Sequence, residues 1–449
     1  MQRLRITVCL MAALGLLAQP AYASPLIRDA EIEHTLRLYS DPIFLADGLK
    51  PSAINLFIVQ EDTLNAYVAG GANMFIYTGL IMQCDTPDML IGVMAHEAGH
   101  IVGGHLARGS EKLKNAQIGS IMTFVLGAAA AAASRRPEAA TAVITGGQNA
   151  VMRNFLSFTR ANEEAADQSA LGALDKINVS AAGLVKTFEL LQRNERAHGG
   201  SPDPYMITHP LSSTRIDHVR NHAENSPIPY GQYPSQLNAL HQRMVAKLYG
   251  FLNSPERTLA RYPRSKNSVA ARVARALAYY KMPDLQQATT ELDSLLAELP
   301  RDPFLHELKG QIFFENNRLK EALASYDMAV KLLPNSPLLL ADFGKVELAQ
   351  NPPLTASAIA HLEKSIALDH DNATAWRQLA GAYGKAGQQQ MSALALAEEA
   401  LLMDDPETAM KQADAALAGL KDGTPAKQRA RDIKAFAIER QAAKKKEGN

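Results

Sequence analysis

Cysteine is scarce in this chain, neither sign of charge is in excess, and no apolar run is long. The cysteines number 2 in 449 residues, Cys9 and Cys84, and Cys9 lies in a segment expected to be removed, which excludes an internal disulfide framework. Lys+Arg and Asp+Glu stand at 46 each, so there is no global basic field and nucleic acid is excluded as an expected partner. The apolar runs Ile6–Ala18 and Ile118–Ala133 hold 13 and 16 residues, short of the ~20 that a spanning helix needs. The second run reads as a buried or loop-covering helix, with peripheral membrane contact through 118–133 as the alternative.

The first run belongs to a leader. "MQRLR" is a basic start, the apolar stretch follows, and "AYA" at 21–23 is a small-x-small cleavage site. Residues 1–23 therefore read as a signal peptide cleaved after Ala23, with no lipid-attachment pattern before Cys9. The mature chain keeps Cys84 alone, and export without disulfides points to the periplasm.

With 449 residues the chain exceeds a single core and is expected to form separate domains. "INLFIVQ", "NAYVAGG" and "MFIYTGLI" read as short strands, rich in β-branched and aromatic residues between glycines. "TPDMLIGVMAHEAGHIVGGHLAR" and "FLSFTRANEEAADQSALGALDKI" read as helices, and 199–204 as a loop. After about residue 254 the pattern changes to helix pairs. Gly310, Phe313, Leu319, Ala322, Tyr326, Ala329 and Pro334 fall at tetratricopeptide offsets, and Trp376, Leu379, Tyr383 and Gly387 repeat the first half. The copy between them fits once two extra residues near Pro352-Pro353 are allowed. Such arrays offer a concave protein-binding surface. The expected segments are 24–250 for a catalytic domain and 251–445 for the repeats.

His96 and His100 are four residues apart on a helix, about 40° apart in azimuth and ~6 Å along the axis, so both rings can reach one ion. Glu97 lies on the adjacent face, placed to act as a general base. A third ligand has two candidates. His105 would sit ~140° away on an unbroken helix, although a break at Gly103-Gly104 could swing it back. Glu163 and Asp167, four apart in "NEEAADQSA", share a face that can offer one carboxylate to the ion and another to a histidine. Glu164 is the local rival of Glu163. His198, His218, His222 and His241 have no ligand spacing and read as surface or packing residues.

In order along the chain, "NAYVAGG…IYTGLI", "MAHEAGHIVGGH", "NEEAAD" and "THPLSSTR" resemble the HtpX-like gluzincin metallopeptidases. The resemblance covers most of the mature chain. It implies an α+β zincin-like (gluzincin) protease domain followed by an all-α tetratricopeptide solenoid. It implies one Zn²⁺ per chain held by His96, His100 and Glu163, with Glu97 as the base, Asp167 as the acid behind the ligands and His105 as a bystander. His209, before Pro210, matches a loop histidine able to take the fourth zinc position and latch the site. Arg215 is expected to neutralise Asp167 or the tetrahedral intermediate.

Members with a leader and C-terminal repeats imply a periplasmic zinc endopeptidase. Its expected substrates are misfolded or stalled outer-membrane β-barrel proteins, with the repeats docking substrate or the outer-membrane assembly machinery. The competing expectation is a chaperone or scaffold whose protease site is normally latched.

Overall fold

The computed structural model describes residues 25–105, 159–197 and 204–447; the leader 1–23, the apolar segment 118–133 and His198 lie outside the described residues. The chain divides into two compact units, one containing Tyr39–Pro234 and the residues up to Ile27, the other Arg28–Leu38 and Ser235–Asn449.

In the first unit the strands are β1 (Leu26–Ile27), β2 (Asn55–Val59), β3 (Ala66–Ala69) and β4 (Asn73–Tyr77). They form one sheet in the order β1-β2-β4-β3, with β2 and β4 parallel and the other pairs antiparallel. Alternation sets the faces: Ile58, Met74 and Ile76 are buried, while Phe57, Phe75 and Tyr67 stack across the opposite face with centroids 4.9 Å apart.

The expected strand "MFIYTGLI" stops at Tyr77, and Thr78–Gln83 is a helix, α1. The turn is tertiary in origin. Thr78 Oγ1 donates to the Glu61 carbonyl, and a Cβ on Gly79 would stand 2.2 Å from the Asp62 carbonyl oxygen. β-propensity in the segment yields to that contact.

Helix α2 (Pro87–Val102) begins with proline at its first position and is buried from Pro87 through His100. A helix covered on every side must lie inside its unit. It packs against α4 (Ala182–Ala197) and the edge strand β3. Between α2 and α4 in sequence runs α3, residues 159–176, and after them come α5 (Pro204–Thr208) and α6 (Ser213–Asn225), the latter capped by Ser212.

The second unit is helical. Helices start at Val269, Pro303, Pro337 and Ala373, at intervals of 34, 34 and 36 residues, so the longer interval contains the insertion expected at Pro352-Pro353. Each is followed by a partner: Leu285–Glu298, Leu319–Leu332, Thr355–Leu368 and Gln389–Leu402. Against the boundary expected at residue 250, the helix Gln236–Leu252 groups with the repeats. So does Arg28–Leu38, held by buried charge: Lys247 Nζ lies 2.8 Å from Asp29 and 3.3 Å from Glu31, and Arg243 pairs with Glu31 and Asp302.

Small residues let the paired helices approach. A Cβ on Gly310 would stand 2.7 Å from the Tyr326 ring, whereas a Cβ on Gly381 meets nothing within 4 Å. Gly310→Val should therefore destabilise by about 1–3 kcal/mol through overpacking, and Gly381→Ala should stabilise by up to about 1 kcal/mol through helix propensity. Thermal or urea unfolding of the two variants checks both signs.

Candidate metal centre

Helix periodicity brings His96 and His100 to one side of α2, with their Nε2 atoms 3.1 Å apart. The glycine within "HEAGH" admits the next element. A Cβ on Gly99 would stand 2.7 Å from the Ala166 carbonyl oxygen, so α3 crosses at a distance that only a glycine there allows. The crossing delivers Glu163, whose carboxylate oxygens lie 3.3 Å from His96 Nε2 and 3.4 Å from His100 Nε2. Just beyond α5, the His209 Nδ1 stands 3.4 Å from His96 Nε2 and 3.2 Å from Glu163 Oε1.

His96, His100, Glu163 and His209 thus offer four buried ligand atoms, all within 4.8 Å of one another. Tetrahedral ligands with arms of about 2.0–2.1 Å are separated by about 3.3–3.4 Å, and the shorter separations observed match that edge. Two further atoms point to a missing positive partner. Both Glu97 oxygens are buried without a hydrogen-bond partner, with His209 Nε2 at a long 3.5 Å.

Behind the ligands stands a charged support. His96 Nδ1 lies 2.8 Å from Asp167 Oδ1, and since a carboxylate only accepts, Nδ1 carries a hydrogen and Nε2 is the nitrogen turned toward the ligand group. Arg215 donates to both Asp167 oxygens, at 2.6 and 2.8 Å. The same guanidinium reaches Glu163 at 2.9 Å and the Pro210 carbonyl at 2.9 Å, which ties down the turn carrying His209.

The electrostatics separate these groups. Burial opposes charge on His96, but the hydrogen bonds to Asp167 and Glu163 outweigh it and lift its pKa to about 9. Burial, with the neighbouring His96 charge, pushes His100 down to about 2, so it stays neutral. Burial would raise Glu163 and Asp167, yet His209 and His96 hold the first well below the carboxylate range, and Arg215 and His96 lower the second. At Glu97 burial outweighs the opposing influence of His209 and His96 and raises the carboxyl.

All seven residues singled out in the sequence, His96, Glu97, His100, Glu163, Asp167, His209 and Arg215, are buried. The structure brings them together directly: His209 bridges Glu97 and Glu163, and Arg215 bridges Glu163 and Asp167. Glu164 is exposed on α3. His218 and His222 pair with Gln168 and Asp175 away from the ligands, and His241 is a buried residue of the repeat unit. His105 is outside the four-atom group, but the expectation of a bystander needs correction: it is buried, with its Nδ1 2.9 Å from His100 Nδ1. Sequence reading also passed over Gly99 and Tyr205. The Tyr205 ring stacks on His209 at 4.6 Å.

The raised His96 value fixes a pH dependence. Its proton contributes stability that is fully present below the ordinary ~6.5 and is lost as pH rises through about 9. A cation entering between the ligands must displace that proton at pH 7. Metal uptake should therefore release about one proton at pH 7, and apparent affinity should climb by up to about tenfold per pH unit until it flattens above the His96 value. Calorimetry in buffers of different ionisation enthalpy measures this, and a heat that is independent of buffer contradicts it.

Residues 41–223 match the sequence profile described as Peptidase family M48. Over 421 residues the chain is 25% identical to the Beta-barrel assembly-enhancing protease of Escherichia coli O157:H7, an alignment spanning 89% of this chain and 78% of that one. The protein of the same name from Yersinia pestis is 23% identical over 347 residues, 76% of this chain and 70% of its own. Metalloprotease LoiP of Escherichia coli (strain K12) is 25% identical over 195 residues, 43% of this chain and 73% of its own. Residues 41–223 are thus similar to peptidase family M48, and a helical repeat region follows them.

Proposed function

We propose that the chain is a periplasmic zinc endopeptidase that acts on misfolded or stalled outer-membrane β-barrel proteins. The observation that carries the catalytic part is the buried group of three imidazole nitrogens and one carboxylate, within 4.8 Å of one another. That donor set suits zinc, and His96, His100 and Glu163 would hold it. Bound there, zinc would supply Lewis acidity, polarising a scissile carbonyl and acidifying water.

The chain's own residues do the rest. Glu97, desolvated and without a hydrogen-bond partner, takes the proton of the attacking water and passes it to the leaving amine; its raised pKa favours that return. Asp167 keeps His96 in the ligating tautomer, and Arg215 keeps Asp167 and Glu163 charged. At the sheet edge, β3 has one side paired to β4, and its other side can accept an extended peptide by backbone pairing. Such pairing reads backbone more than side chain, which suits a quality-control protease.

His209 supports a second, regulatory part of the reading. Its Nδ1 fills the fourth corner of the ligand group while its Nε2 approaches Glu97, so the ring occupies the place where substrate and water must enter. We read this arrangement as a closed state, supported by the Arg215 hydrogen bond to the Pro210 carbonyl. A scaffold or chaperone role with proteolysis latched fits the same geometry. The leader, the repeat array and the names of the aligned relatives support assembly of outer-membrane β-barrels as the setting, with the repeats docking substrate or assembly machinery.

Glu97→Gln should retain metal and lose peptide cleavage by about 100-fold or more. Unimpaired cleavage by that variant would sink the protease reading. His209→Ala should cleave an unfolded outer-membrane protein faster than the parent chain, whereas equal or slower cleavage argues against the latch. If Glu97→Gln still restores outer-membrane protein assembly in a strain lacking the parent, the scaffold role stands apart from catalysis.

A further inference from the structure

Resting on the metal-site reading above, we infer that His105 is a positioning residue: it accepts the Nδ1 hydrogen of His100 and thereby fixes the tautomer whose Nε2 faces Glu163 and His96. A ligating imidazole presents one nitrogen to the ion, and the partner of the other nitrogen sets both tautomer and ring orientation. For His96 that partner is Asp167. For His100 the Nε2 atom belongs to the ligand group, and the Nδ1 atom lies 2.9 Å from His105 Nδ1. The two rings meet edge to face at 80°, with centroids 4.9 Å apart. Between two neutral imidazoles one nitrogen donates and the other accepts. If His100 Nε2 keeps its lone pair for a cation, Nδ1 is the donor and His105 the acceptor.

The backbone is shaped for this contact. α2 ends at Val102, and Gly104 turns the chain at a φ of +59°, a region that favours glycine. Gly103 leaves the space that the ring occupies: a Cβ there would stand 2.2 Å from His105 Nε2 and 2.6 Å from Cε1. Continued helix would carry His105 about 140° from the ligand face. The glycine pair brings it back, to the opposite nitrogen of His100 from the one the ion would use.

The test uses the full mature chain and reads metal binding rather than turnover. Zinc affinity is measured by chelator competition, the ligand field by the visible spectrum of the Co²⁺-loaded protein, and folding by circular dichroism of the metal-free form. His105→Phe keeps a ring and removes the acceptor; zinc affinity should fall by about 10–100-fold, with a changed cobalt spectrum. His105→Asn places Oδ1 where Nδ1 was and should recover affinity to within a few-fold of the parent chain. Gly103→Ala keeps the His105 side chain intact but displaces its ring, and should reproduce the loss even if the phenylalanine variant does not fold. Parent-like affinity and spectrum in His105→Phe or Gly103→Ala overturn the proposal, as does an asparagine variant no better than phenylalanine. A parent chain that binds neither zinc nor cobalt overturns the metal-site reading, and this proposal with it.

Discussion

The site depends on the carboxylate of Asp167. It faces His96 Nδ1 at 2.8 Å and takes two hydrogen bonds from Arg215, at 2.6 and 2.8 Å. Through that guanidinium it is linked to Glu163 and to the Pro210 carbonyl. One side chain on α3 therefore holds a ligand of α2, a ligand on its own helix and the turn that carries His209. Burying these charges is costly, and the arrangement is tolerable because each carboxylate oxygen of Asp167 is matched by a donor. With Arg215 absent, His96 alone would face both buried carboxylates, and the ligand geometry would be the first thing lost.

The same cavity keeps a carboxylate in the opposite condition. Glu163 and Asp167 are paired and held low, while Glu97, one residue from a ligand, is fully buried and raised. Groups of one chemical type are thus set in different electrostatic conditions by their surroundings, and that difference is what the proposed ion-binding and proton-carrying roles draw on. His96 and His100 diverge likewise, about 9 against about 2: burial and the neighbouring His96 charge depress His100, whereas at His96 the hydrogen bonds to two carboxylates outweigh burial. Identity along the helix does not assign these roles. The helix that crosses at Gly99 does.

Sequence carried the local half of this. His96, Glu97 and His100 are legible because helix periodicity alone places them, and the repeats are legible because each helix pair packs on its neighbours at a constant interval. Glu163 lies 63 residues past His100; spacing showed that it shares a face with Asp167, helix geometry favoured that face over His105, and the family resemblance agreed. "TGLI" reads as strand by composition and becomes helix through a contact with Glu61. The grouping of Arg28–Leu38 with the repeats rests on ion pairs from Asp29 and Glu31 to Lys247, more than two hundred residues on. Nothing local announces such a pairing.

His105 shows where a correct geometric rule was applied to the wrong backbone. The ~140° offset holds for an unbroken helix and rightly excludes His105 from the Nε2 side of the ion. It does not exclude contact with the far side of His100, because Gly104 has left helical geometry before His105 is reached. The useful sequence signal was the glycine pair. Two glycines between a ligand and a further histidine mark a place where the chain can reverse tightly and where a ring can lie over backbone. Gly99 carries information of the same kind, since a glycine between the two ligand positions shows that another element crosses there at backbone distance. Residues without side chains, read for what they let approach, mark where the helix of Glu163 crosses and where the ring of His105 lies.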